Sequence, residues 1–189
     1  QGGCANSQPA DFAIALTLDS ALQPEQHALE VTPQRITVTG GSSTAVFHGV
    51  QTLRQLAGAR RLATDTATPI PCLVIRDQPR FAWRGVMLDC SRTFQSPEYL
   101  KMTMDRLAFY KMNVLHLHLT DDQGWRLEIK NHPELTRKGA RFSAKYNEPE
   151  LHQGFYTQAQ MQELVAYAKI RGITVVPEIE MPGHNIALL

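Results

Sequence analysis

The chain has 189 residues, 43% hydrophobic and 20% charged, an ordinary globular composition with room for one medium domain or two small ones. Its 19 basic and 18 acidic residues leave a formal charge of +1, so no basic footprint recommends nucleic acid as a partner. No apolar run approaches the ~20 residues of a membrane span, "QGGCANSQPA" lacks the basic and apolar regions of a signal peptide, and Cys4, Cys72 and Cys90 are odd in number, far apart and without CxxC spacing, which argues against a disulfide scaffold or a zinc ribbon.

Residues 12 to 80 read as short strands around one helix. "FAIALTL", "HALEV" and "RITVT" are β-rich runs separated by turn formers in "DSALQPE" and "TPQ", which predicts a small antiparallel sheet. "SSTAVFHGVQTLRQLAG" spaces Val46, Val50, Leu53 and Ala57 by three and four, with Ser42, Ser43 and Thr44 as candidate N-caps and Gly58 as a stop, the pattern of an amphipathic helix. "ATDTATPIP" is a connection, "CLVIRDQ" a last strand, and the boundary falls near Pro79. The division predicted is a small α+β domain over 1–79 and a second domain of different grammar over 80–189.

From Arg84 the grammar becomes strand, helix, strand, helix, strand. "RGVMLDC" is a continuous apolar run ending in Asp89, as expected of a strand buried on both faces. In "SPEYLKMTMDRLAFYKM", Ser96 caps, Pro97 takes the first helical position and Glu98 favours the helix N-terminus; the buried stripe predicted is Leu100, Met104, Leu107 and Phe109. "NVLHLHLTDD" is the second strand, "TQAQMQELVAYAKIRG" a helix with Leu164, Ala168 and Ile170 inward and Gly172 at its end, and "ITVVPEIEMPGH" the third strand. Alternation at this spacing predicts a parallel sheet. The stretch "ELTRKGARFSAKYNEPELHQGF" reads as an irregular excursion, and a loop of this length is more often functional or disordered than mere connection.

Each strand ends in a polar cluster: "LDCSR", "HLTDD", "PEIEMPGH". In an α/β barrel such strand ends converge on one mouth; a doubly wound nucleotide fold would carry a glycine-rich turn after its first strand, and "DCSRTFQS" contains no glycine. His116 and His118 share one strand face, which keeps open a metal-dependent barrel hydrolase with His184 as third ligand, although two such histidines are more often hydrogen-bonded structural residues. Asp121 and Asp122 are adjacent, and neighbours in a strand point to opposite faces, so they do not flank one bond as an acid/base pair. Trp125 reads as packing beside the mouth, and "MPGH" as a tight turn presenting His184.

"VFHGVQTLRQL", "WRGVMLDCSRTF", "YKMNVLHLHLTDDQGWRLEI" and "GFYTQAQMQELVAYAKIRGITVVPEIEMPGH" resemble, in order and over nearly the whole chain from residue 12, the family-20 glycoside hydrolases, the β-N-acetylhexosaminidases. The resemblance implies a small α+β domain, short of its first strand, followed by the first three βα units of a (β/α)8 barrel. A full barrel needs roughly 250 residues, and Arg84–Leu189 is less than half of that. It also implies hydrolysis of terminal β-linked N-acetylhexosamine in which the substrate's 2-acetamido group forms an oxazolinium intermediate, an exception to the two-carboxylate scheme, with no metal or organic cofactor. The adjacent Asp-Glu pair that the family carries on a "GGDE"-like motif is absent from residues 1–189, so these residues alone are expected to be inactive.

Carried over residue by residue, Arg92 matches the sugar-binding arginine. Asp121 and His184 match positions that link to the acid/base glutamate and border the substrate, with His118 beside them. Glu180 stands where many members have Asp, and Thr93 where a His is common. The resemblance further implies a glycan substrate and a periplasmic or secreted location. A non-catalytic sugar-binding module retaining Arg92 is the competing reading.

Overall fold

A computed structural model describes residues 13–58, 70–141 and 153–188. The chain forms two compact units: residues 1–82 with 108–111, and residues 83–107 with 112–189. Among the described residues no helix is long and apolar enough to cross a membrane.

The first unit is a four-stranded sheet with one helix on it. Its elements are β1 (Ala13–Leu18), β2 (His27–Val31), β3 (Arg35–Gly40), helix α1 (Ser43–Ala57) and β4 (Leu73–Asp77), and the spatial order is β1-β3-β2-β4. The sheet is mixed rather than antiparallel. β2 pairs antiparallel with both β3 and β4, but β1 lies parallel to β3, Ile14 opposite Ile36 and Leu16 opposite Val38. Because β4 occupies the far edge of β2, β1 joins at the free edge of β3, and that position reverses its direction. Period-2 alternation in β2 and β3 sends Leu29, Val31, Ile36 and Val38 to one buried face, where Val46, Val50, Leu53 and Leu56 of α1 pack with Leu73 and Ile75. Each such fully buried side chain is worth about 1.5–3 kcal/mol. The predicted helix start resolves to Ser42, whose Oγ accepts from the Ala45 N–H at 3.1 Å, and Gly58 closes the helix by donating to the Gln55 carbonyl.

Cys72 is disulfide-bonded, whereas the odd cysteine count and wide spacing point away from a disulfide framework. Cys90 is free and buried, its thiol pushed up to about 11 by burial.

The second unit begins with β5 (Gly85–Asp89), α2 (Pro97–Phe109) and β6 (Val114–His118). It continues through the short pair β7 (Thr120–Asp121) and β8 (Gly124–Trp125), a single turn α3 (Glu134–Arg137), α4 (Gln158–Lys169), β9 (Thr174–Glu178) and a 3-10 turn at 186–188. β5, β6 and β9 form a parallel sheet with β6 in the middle, each adjacent pair joined through a helix as a βαβ unit requires. In β6, Val114, Leu115 and Leu117 are buried. β5, by contrast, is not buried on both faces: it is an edge of the sheet as described, with Met87 55% exposed. Its apolar composition records a burial that its position in this three-stranded sheet does not supply.

The helix caps are local. Ser96 Oγ accepts from the Tyr99 N–H at 3.2 Å, and Thr157 with Gln160 makes a reciprocal capping box on α4. α2 buries Leu100, Met104, Leu107 and Ala108, while Phe109 is only half-buried; the four-residue step from Met104 selects Ala108 instead. α4 buries Leu164 and Ala168, but Ile170 is 72% exposed, because regular helix ends at Lys169. The Gly172 N–H then donates to the Lys169 carbonyl with φ 68°, a conformation that glycine adopts without a Cβ penalty. Of the predicted excursion over 134–155, α3 and residues 153–155 are seen, while 142–152 fall outside the described residues.

Candidate active site

The carboxyl ends of β5, β6 and β9 bring Asp89, His118 and Glu178 into register as neighbours. Just beyond them the chain adds Arg92, Asp121, Glu180 and His184. Asp121 is the hub. Its carboxylate is 1% exposed and receives donors from four directions: Arg92 Nη2 at 2.5 Å, His118 Nε2 at 2.9 Å, His184 Nδ1 at 3.0 Å and the Asp122 N–H at 2.7 Å. Burial pushes its carboxyl up, and the bonds from His118 and Asp122 with the Arg92 charge outweigh that, leaving it below the ordinary carboxylate range.

Arg92, 49% exposed, spans two carboxylates: Nη1 meets Asp89 Oδ2 at 2.7 Å while Nη2 meets Asp121. Asp89 Oδ1 also accepts the backbone N–H groups of Ser91 and Arg92, at 3.0 and 2.9 Å. The hydrogen bond to Asp89 and the Asp121 charge hold the guanidinium pKa above its already high ordinary value. The pair with Asp89 that a plain surface arginine would make is present, and the second pair with the buried Asp121 turns Arg92 over the strand ends.

His116 and His118 do point to one face, and both meet Glu178: His116 Nε2 at 2.7 Å from Oε2, His118 Nδ1 at 3.2 Å from Oε1. Glu178 is a residue that sequence reasoning missed. The signal was available, since "PEIE" puts Glu178 and Glu180 on one face. The two carboxyls act on each other: bonding to Glu180 lowers Glu178 below the usual range, with burial opposing and His118 assisting, while bonding to Glu178 raises Glu180. The Glu180 backbone is fixed separately, its N–H donating to Thr120 Oγ1 at 2.8 Å. Its carboxyl partner is Glu178 rather than His184. Asp122 accepts from the Ile186 N–H at 3.2 Å, yet it keeps a carboxylate oxygen within 4.8 Å of one of Asp121, so the two side chains are not separated onto opposite faces as strand alternation predicts. Trp125 is buried with its indole N–H donating to the Leu127 carbonyl at 2.6 Å. His184 sits at φ 53° in the "MPGH" turn.

The trio His116, His118 and His184 is not assembled as a ligand set. Among the described residues, the groups whose donor atoms lie within 4.8 Å of one another are His118 with Glu178 and Glu180, and Asp121 with Asp122 and His184. Neither contains His116, and both nitrogens of His118 already face carboxylates.

His118 therefore carries a pH signature. Burial alone would lower its pKa, but the hydrogen bonds to Asp121 and Glu178 prevail and raise it above 6.5. A proton held more tightly when folded stabilises fully below pH 6.5, and that stabilisation is lost as pH rises through the folded-state value. The unfolding free energy of the second unit should fall as pH rises from about 6.5 through the raised folded-state value, and His118→Gln should flatten that slope. His27 in the first unit acts with the opposite sign: burial, with Lys111 assisting, lowers its pKa, so its contribution to stability rises with pH where that of His118 falls. Urea titrations across this range, followed by the fluorescence of a second-unit tryptophan, decide; an equal slope in His118→Gln would refute the assignment.

The chain has counterparts among known proteins. The model of the glycosyl hydrolase family 20 catalytic domain matches residues 81–189, and that of domain 2 of the same family matches residues 4–78. The chain belongs to glycosyl hydrolase family 20. A beta-hexosaminidase of Akkermansia muciniphila is 44% identical over 88% of this chain and 33% of its own length, and one from Vibrio furnissii 43% identical over 96% and 31%. Among solved family-20 structures, a beta-N-acetylhexosaminidase of Bacteroides fragilis superposes with TM-score 0.83 at 41% identity, covering 93% of this chain and 35% of that one. An exo beta-N-acetylglucosaminidase from Vibrio harveyi, in complex with N-acetylglucosamine, superposes with TM-score 0.83 at 41% identity, covering 93% and 28%. The chain thus spans about a third of the length of the curated relatives it matches.

Proposed function

We propose that the whole protein carrying this chain is a β-N-acetylhexosaminidase, releasing terminal β-linked N-acetylhexosamine from the non-reducing ends of glycans. The observation that carries this reading is the Arg92–Asp121–His184 chain: a half-exposed guanidinium seated on a buried carboxylate that also holds an imidazole. A planar fork of donors suits adjacent sugar hydroxyls. Asp121 fixes the His184 ring through Nδ1, which leaves Nε2 directed towards an acid/base glutamate supplied from outside residues 1–189, whose proton affinity it tunes. Glu180 sets its carboxyl beside Glu178, within reach of the His184 and His118 charges. The names of the relatives support the substrate class, among them an N,N'-diacetylchitobiase of Vibrio harveyi.

In this reading residues 1–79 form the accessory α+β domain, and residues 80–189 supply the first three βα units of a (β/α)8 barrel. Neighbours outside this segment then cover β5, which accounts for its apolar sequence. The reaction is substrate-assisted, the acetamido oxygen attacking the anomeric carbon as the leaving group is protonated. A periplasmic or secreted location accords with the disulfide at Cys72, since such bonds persist in oxidising compartments.

The test is an assay of the full-length protein on a chromogenic N-acetyl-β-glucosaminide and on the matching β-glucoside. Without the acetamido group the intramolecular nucleophile is lost, so the glucoside should react roughly a thousand-fold more slowly or worse. Residues 1–189 alone, lacking the Asp-Glu neighbours, should turn over neither. Equal rates on the two substrates would defeat the mechanism, and no turnover by the full-length protein would defeat the function.

A further inference from the structure

We propose that Arg126 is a positioning residue that sets the loop carrying Arg92. The proposal rests on the functional reading above and adds to it a group that touches no substrate. Arg126 follows β8 and is fully buried. Among the described residues no carboxylate bonds its guanidinium; its bonds go to backbone carbonyls. Nε donates to Cys90 O at 3.1 Å and Ser91 O at 3.2 Å, Nη2 to Ser91 O at 2.7 Å, and Nη1 to Ala140 O at 2.7 Å and Gly154 O at 3.0 Å. Burial lowers its pKa to about 10, so it remains charged at neutral pH. A buried cation is costly unless its donors are used, and here the carbonyls use them.

Cys90 and Ser91 are the two residues between Asp89 and Arg92. Their carbonyls are held from inside by Arg126, while the N–H groups of Ser91 and Arg92 are held by Asp89 Oδ1. The Ser91 hydroxyl adds a third fastening, donating to Gly124 O at 2.7 Å. The loop is gripped on both edges, and the part of it left to reach outward is the Arg92 side chain. The same guanidinium fastens Ala140 and Gly154, so one side chain clasps three separate stretches of backbone. Gly124 makes the fit possible: a Cβ there would lie 2.6 Å from the Arg126 Cζ. That gives a way to displace the guanidinium without removing it.

The experiment is a double-mutant cycle in the full-length protein. Gly124→Ala and Arg126→Lys are each measured alone and in an Arg92→Ala background, on the N-acetyl-β-glucosaminide. Each should cost about ten- to a hundred-fold in kcat/KM, chiefly as a raised KM, and less than about two-fold once Arg92 is absent, because neighbours that act through one group are not additive. The same fold-loss in both backgrounds, or unaltered kinetics in the single variants, would overturn the proposal. A second measurement needs no activity: amide exchange at Ser91 and Arg92 should quicken about ten-fold relative to Leu117 in β6. Quickening that is uniform through β6 marks a general loss of stability and counts against Arg126. If the loop amides respond while the wild-type protein hydrolyses nothing, the clasp stands and the functional reading falls.

Discussion

Arg92→Ala in the full-length protein should lose roughly ten- to a hundred-fold in kcat/KM, the equivalent of removing a charge-assisted hydrogen bond worth about 1.5–3 kcal/mol. Arg92→Lys should be nearly as poor. Lysine keeps the charge but not the fork that meets Asp89 with one nitrogen and Asp121 with the other. On the proposed function the hydroxyl contacts are made before and during bond breaking, so most of the loss should appear as raised KM, with a smaller fall in kcat. If Arg92 only closed a surface ion pair, its removal would cost about 0–1 kcal/mol of stability and no activity. Kinetics of both variants, with thermal melts as control, separate these outcomes; wild-type kinetics in Arg92→Ala would take Arg92 out of the site.

Asp121→Asn should be the more damaging change for turnover. It leaves Arg92, His118 and His184 facing a neutral amide in place of the carboxylate they share. Removing one member of a buried ionic cluster costs about 3–5 kcal/mol, but Arg92 and His184 are half-exposed and regain water, so about 2 kcal/mol of stability is the expected loss. His184 loses the group that orients it, and on the proposed function the acid/base step should slow by roughly a hundred-fold or more. The pH dependence assigned to His118 should shrink in the same variant, because its strongest partner is gone. A variant with normal kcat would remove Asp121 from the proton pathway.

What was legible in the sequence is what is local. Ser42 and Ser96 each announce a helix start, and each caps one. Alternation in "HALEV" and "RITVT" gives the buried face of the first sheet. Direction was not legible, because β1 has the same composition whether it runs with β3 or against it; its neighbour is decided by β4 taking the other edge of β2. Burial in β5 misled for a related reason, since an apolar run states a preference and the neighbours decide whether it is met. At the site, HxH and TDD placed His116, His118 and Asp121, whereas Arg126 passed as one more charged residue. Backbone carbonyls are its partners, and every residue has one, so no pattern of side chains reveals them. Glu178 needed the pairing register, His118 opposite Glu178, before its role as partner to two histidines could be read.

The β7–β8 pair is only two residues on each side, Thr120 opposite Trp125 and Asp121 opposite Gly124, yet it bears on the thermodynamics of recognition. The Trp125 N–H is tied to Gly139 O at 2.8 Å and the Arg126 N–H to Leu119 O at 2.9 Å, so the ribbon is stitched to its surroundings at its base. Had Asp121 stood on a loose connection, freezing its backbone would consume about 1–2 kcal/mol per residue at the moment of encounter. In the ribbon that ordering is completed during folding. On the proposed function, a sugar held by Arg92 meets a guanidinium whose buried seat, Asp121, is already in place, and its contacts appear in affinity without deduction for organising that seat.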